Sequence, residues 1–218
     1  MIYQRKIFNQ TLFAFLVVNC ILILLLVIKP YIGRTLFLTL GSAVFMVSSI
    51  VFVKIFKIDA TEFGLKTDSL VKDIKIILLV LFIVFPLFIA LNHIYQVIFF
   101  KHRFVFELRE GIVFNIFHHL LMVAIPEEIF FRGFIQSQME RAYQKGKIVG
   151  LITHSNFMTS LLFAIGHFFI NPQINRLAVF FPSLLFGYLR EIRGNIYPSI
   201  VIHWLSNIIM YILLGMYL

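Results

Sequence analysis

Apolar residues fall in seven runs along this chain: Phe8 to Ile28, Thr35 to Val53, Ile74 to about Leu91, Gly111 toward Glu140, Ile152 to Ile170, Ile174 to Leu189, and Ile196 to Tyr217. A helix that crosses a membrane needs about 20 mostly apolar residues, so the pattern predicts seven spans. The first run follows Arg5 and Lys6 as a signal peptide would. It is too long for one and no small-residue cleavage site follows, so it reads as an uncleaved helix. The fourth run is interrupted by Pro126, Glu127, Glu128 and Arg132. Two segments break the pattern. Lys54 to Asp73 mixes eight charges with Ile, Phe and Leu and predicts a surface loop with a short interfacial helix. Tyr95 to Arg109, with Phe99 and Phe100 before Lys101, His102 and Arg103, predicts an interfacial piece or a re-entrant turn. Either segment can hold an eighth helix.

Composition removes the soluble alternative. Of 218 residues, 61% are hydrophobic and 13% charged, against about 45–50% and 25% in soluble domains. So few charges cannot clothe a soluble globule of this size. The expectation is an all-α, polytopic transmembrane bundle of seven to eight helices. It forms one domain over 1–218, with peripheral helices at about 8–110 and a core at about 112–217. The net charge of +9 could suggest nucleic acid, but the basic residues cluster at the ends of apolar runs, as membrane anchors do. No nucleic-acid module is present. With the N-terminus inside, twelve Lys and Arg fall in inner segments and six in outer ones, which favours a cytoplasmic N-terminus. The lone Cys20 can form no internal disulfide and reads as a packing or lipid-facing residue.

Ionisable groups in hydrocarbon are costly, and they usually face a cavity or a partner. Eight of the ten acidic residues sit in loops or at helix ends; Glu127 and Glu128 do not. Glu128 and Arg132 are four apart and share a helix face. Pro126 suits a first helical turn. One reading ends the fourth span near Ile125 and starts an amphipathic helix outside lipid. It leaves Phe130, Phe131, Phe134 and Ile135 uncovered and Glu127 unpaired. The other reading gives Glu128 to Arg132 and leaves Glu127 for proton chemistry.

His93, His102 and His154 lie near span ends, and His118 and His119 read as packing residues. His167 lies four residues after Phe163, and His203 four before Asn207. Either histidine alone could be an interhelical polar contact. Together, Glu127, His167, His203 and Asn207 supply a base, a second imidazole and two donors. That is a minimal set for adding water to an amide carbonyl. Two histidines and a glutamate can also bind zinc, but no H-E-x-x-H or close ligand pair is present. No cofactor is therefore expected, with zinc as the alternative. No covalent nucleophile motif competes.

Glu127-Glu128-x-x-x-Arg132 followed by Gly133, Phe163-x-x-x-His167 and His203-x-x-x-Asn207 resemble, in order, the three motifs of the CPBP family of intramembrane proteases. This is also called the CAAX amino-terminal protease or Abi family, and it includes the eukaryotic Ras-converting CAAX endopeptidase. The resemblance covers about Leu121 to Ile209; upstream it extends only to apolar helices and a Phe63-Gly64-Leu65 stretch. It implies a metal-free glutamic endopeptidase with eight helices. Glu127 and His167 would activate water, His203 and Asn207 would bind the oxyanion, and Glu128, Arg132 and Phe163 would support them. The implied partners are the lipid bilayer and a membrane-anchored, possibly prenylated, protein or peptide, in a prokaryotic inner membrane. The alternatives are a membrane immunity or binding protein that keeps the pocket without cleaving, and a small transporter or proton relay. Against transport, the chain has no inverted repeat.

Overall fold

The computed structural model describes residues 2–107, 110–143 and 146–217. Arg109 and Lys145, both counted in the charge asymmetry, lie outside the described residues. Helix α1 is Ile2–Phe56, α2 Leu70–Phe99, α3 Ile112–Tyr143, α4 His154–Ile170, α5 Phe180–Arg193 and α6 Tyr197–Leu213. A 3-10 turn, Ala60–Phe63, lies between α1 and α2, and another, Ile174–Val179, leads into α5. A small antiparallel hairpin pairs β1, Lys147–Val149, with β2, Ile152–Thr153.

The chain is helical and membrane-associated, with six helices among the described residues, not seven or eight. The first two predicted spans belong to the single run α1, which breaks at Gly33 (φ 76°, ψ 167°). Only glycine reaches that backbone region easily. The two arms meet where Leu22 lies beside Gly41 and Lys29 over Phe37. Tyr95 onward adds no further helix: α2 runs on through a π turn at Tyr95–Phe99, and Phe104 then bridges to Tyr217.

By length and composition, α1, α2 and α3 can each cross a membrane. Helices α4, α5 and α6 have 17, 14 and 17 residues, so even the longer ones rise only about 25 Å, less than the roughly 30 Å hydrocarbon core. They are shorter than predicted because Ile152 and Thr153 pair in the hairpin, while Ile174–Val179 coil as 3-10. Lipid-type surface is concentrated on α2, where Leu79, Phe82, Ile83 and Leu87 are all exposed.

Helix α3 lies at the centre. It continues through Pro126 instead of ending at Ile125, with π turns at His119–Ala124 and Ile129–Gln136 on either side of the α turn Ile125–Glu128. Proline lacks the N–H for an interior bond and crowds the carbonyl four residues back. The wider turn just before it, with Ile125 N–H bonded to Leu120 O, absorbs that shift. From Phe130 to Gln136 every residue is buried. Ala14, Phe15, Val18 and Phe52 of α1, Phe63 of the inner loop and Phe163 of α4 provide the cover.

The loop that carries Phe63 and Gly64 docks on this core. A Cβ at Gly133 would lie 2.8 Å from the Phe63 ring, and one at Gly64 3.0 Å from the Asn195 backbone. Ile196 N–H donates to Gly64 O at 3.0 Å. This loop thus ties the first half of the chain to α3 and to the corner between α5 and α6.

Candidate active site

Helices α3, α4, α5 and α6 bring two carboxylates, two imidazoles and a guanidinium together. Glu128 and Arg132, one turn apart on α3, are both fully buried, and Arg132 Nη1 donates to Glu128 Oε1 at 3.0 Å. Arg132 Nη2 donates to Ser183 O at 3.0 Å and Ser183 Oγ at 2.6 Å on α5. Its guanidinium also lies over the Phe163 and Phe186 rings, 4.7 and 5.2 Å from their centroids. A buried charge needs this density of partners.

His203 completes the cluster from α6. Its Nδ1 is 2.8 Å from Glu128 Oε1. Its ring stacks on Phe186 at 4.9 Å and meets the edge of Phe163. With Nδ1 bound to a carboxylate, Nε2 points the other way, to 3.9 Å from Glu127 Oε2. His167 approaches the same oxygen from α4, with Nε2 at 4.0 Å. Its Nδ1 is 2.9 Å from Phe163 O. A carbonyl only accepts, so Nδ1 carries a proton and Nε2 is the ring nitrogen that faces Glu127. Phe163 therefore supports His167 with its backbone, and with a ring 4.3 Å away.

Glu127 is the exposed member of the carboxylate pair, 14% accessible where Glu128 is sealed. Its Oε2 has no hydrogen-bond partner among the described residues. The 3.9 and 4.0 Å separations are too long for direct hydrogen bonds, but a bridging water can span them. Glu127 and His167 line a cavity of about 330 Å³ with Asn19, Phe131, Asn171 and Arg176. That volume lies at the small end of ligand sites.

Six of the seven residues singled out in the sequence (Glu127, Glu128, Arg132, Phe163, His167 and His203) meet in one cluster. Asn207, one turn beyond His203 on α6, makes no hydrogen bond to them and does not line the cavity. His118 lies away from this centre, in a second cavity beside Arg34.

The sequence reading passed over Asn19, Asn171, Arg176, Ser183 and Phe186. Asn19 carried a signal, as a lone amide in the middle of the first apolar run. The other four look ordinary until the fold places them.

Zinc does not fit this donor set. Bonds of about 2.0–2.1 Å in a tetrahedron put neighbouring donors about 3.3–3.4 Å apart. Both imidazoles stand farther than that from Glu127, and no trio of His, Cys, Asp or Glu side chains among the described residues converges as a metal site.

Residues 109–209, just under half of the chain, match the sequence model of the family described as type II CAAX prenyl endopeptidase Rce1-like. No curated protein and no solved structure matches the chain. The matched stretch contains the whole cluster and all three motifs, so the part of the chain that builds the site is the part similar to these endopeptidases.

Proposed function

We propose that this chain hydrolyses a peptide bond in a membrane-anchored or lipidated protein or peptide, with Glu127 as general base. The observation that carries this reading is Glu127 Oε2: buried and unbonded, on a residue that lines the cavity, and flanked at 4.0 and 3.9 Å by Nε2 of His167 and of His203.

Water bound between Glu127 and His167 gives its proton to Glu127 Oε2, with the His167 lone pair fixing its orientation. The oxygen adds to the carbonyl carbon, and the carbonyl π pair moves onto oxygen. His203 Nε2–H and the Asn207 amide donate to that oxyanion. As the intermediate collapses, the C–N bond breaks and Glu127 returns the proton to the leaving amine.

For His203 to donate from Nε2 while Nδ1–H serves Glu128, the ring must be an imidazolium.

The basic residues favour a cytoplasmic N-terminus, and we place the protein in a prokaryotic inner membrane. The family whose model matches is one of prenyl endopeptidases, so a prenylated anchor is one substrate to offer. The test is purified protein in liposomes against membrane-anchored peptides with and without a prenylated cysteine, with products read by mass spectrometry. Cleavage at a defined bond is expected. A helical, monodisperse protein that cuts none of them contradicts the proposal.

A further inference from the structure

Asn19 is a lone amide in the apolar first arm of α1, and it is only 3% exposed. It lines the active-site cavity with Glu127 and His167. Its Nδ2 donates to Phe15 O, one turn back, at 2.8 Å. That bond fixes the amide, because the opposite orientation would set two oxygens against each other. Oδ1 is therefore the free end, and among the described residues no donor serves it. A buried acceptor left unpaired is costly, and polar groups within a span usually face a cavity or a partner.

Gly166 makes room for this oxygen. A Cβ there would lie 3.2 Å from Asn19 Oδ1 and 3.5 Å from the Phe15 ring. The missing side chain lets α1 lie close against α4. It sets the amide beside the residue that directly precedes His167.

A peptide drawn into this cavity brings an N–H at every residue but proline. The walls are mostly apolar, so each N–H there needs an acceptor. Glu127 and His167 hold the water, and Arg176 only donates. The Asn171 oxygen is turned to Arg176, 3.2 Å from Nε and Nη2. Ser42 offers a hydroxyl, which can donate as well as accept, whereas Asn19 Oδ1 can only accept.

We infer that Asn19 Oδ1 binds the peptide substrate by accepting a hydrogen bond from a backbone N–H close to the scissile bond. This deepens the proteolytic reading and rests on it. Such a contact reads the backbone and not the side chain. It holds the substrate in line without selecting a residue type, proline excepted.

Ester substitution tests the inference. In one membrane-anchored peptide, each amide flanking the scissile bond is replaced in turn by an ester, which removes one N–H and keeps the shape. In liposomes, one such position is expected to raise the wild-type KM about tenfold. Asn19→Leu, similar in shape, is expected to raise KM for the all-amide peptide by the same factor and to become indifferent to the ester at that position. Asn19→Ala should behave alike and replaces the leucine variant if that one does not fold. A general loosening of the fold would weaken activity on every peptide and leave the ester effect in place. No ester position that affects wild type, or an ester effect that persists without Asn19, would overturn the inference. Binding of the same peptides to Glu127→Gln protein, with and without Asn19→Leu, reads the contact without turnover. An ester penalty in Kd that disappears with Asn19 supports the contact even if cleavage fails, and equal Kd values refute it.

Discussion

His203 Nδ1 and Glu128 Oε1 are 2.8 Å apart, and that same oxygen receives Arg132 Nη1 at 3.0 Å. One sealed carboxylate therefore orients an imidazole on α6 and a guanidinium on α3. It also decides which His203 nitrogen faces Glu127. Glu128 acts through His203 as a positioning residue, and the four side chains function as one charged unit.

Removing one member of a buried pair strands the other. Glu128→Ala is expected to cost about 3–5 kcal/mol, read as a lowered thermal unfolding midpoint in detergent. Glu128→Gln keeps the shape but loses the carboxylate that orients His203 and Arg132. Turnover should fall more than stability does. Wild-type stability in Glu128→Ala would mean that the pair contributes nothing to the fold.

Asn207 makes no hydrogen bond to the cluster, so its removal should leave the fold within about 0.5 kcal/mol of wild type. Loss of an oxyanion donor lowers kcat by roughly 100- to 1000-fold, and Asn207→Ala is expected to do so with little change in KM. Unchanged kcat would remove Asn207 from the mechanism and leave His203 as the oxyanion donor.

Gly133 is the floor on which Phe63 rests. A Cβ there would sit 2.8 Å from a ring that is itself only 4% exposed. Gly133→Ala should cost about 1–3 kcal/mol through overpacking. The double variant Gly133→Ala, Phe63→Leu should recover part of it. Equal unfolding midpoints for wild type and Gly133→Ala would show that the loop yields freely.

Asp59 caps the 3-10 turn that delivers Phe63, and its Oδ1 accepts from Thr61 N–H at 2.9 Å. That backbone bond, helped by the Thr61 side chain and by Lys66 and opposed weakly by burial, holds the carboxyl below its ordinary 3.8. A folded value below the unfolded one means that the cap contributes above about pH 4 and is lost as pH falls through the lower value. The Asp59 carboxyl resonance should titrate with a midpoint under 3.8. A midpoint at or above it would show that the cap is open in solution.

The chemistry was more legible in the sequence than the architecture. Glu127 and Glu128 stood out because hydrocarbon tolerates few charges, and the i, i+4 spacing already paired Glu128 with Arg132. That His203 would also bond Glu128 was not legible, because it depends on how α6 crosses α3. At Gly33 a composition window sees a polar gap between two spans, and the structure turns there without an intervening loop, so the two arms count as one helix broken at a single residue. Pro126 left two readings open, a span ending near Ile125 or one running on, and π turns, which leave no mark on apolar periodicity, let α3 pass through it. Arg176 counted only among the outer basic residues, since only the folded cavity sets it beside Asn171.

The central claim is that Glu127 takes the proton from water. The most direct measurement is single-turnover cleavage of one membrane-anchored peptide by Glu127→Gln beside wild type, both in liposomes and both with and without a strong chelator. The account predicts that cleavage falls by at least about 100-fold in the variant, the scale of a general base. Wild type should be indifferent to the chelator, and the variant should unfold at the wild-type temperature. Full turnover by Glu127→Gln, or wild-type activity that the chelator abolishes and zinc restores, would contradict it.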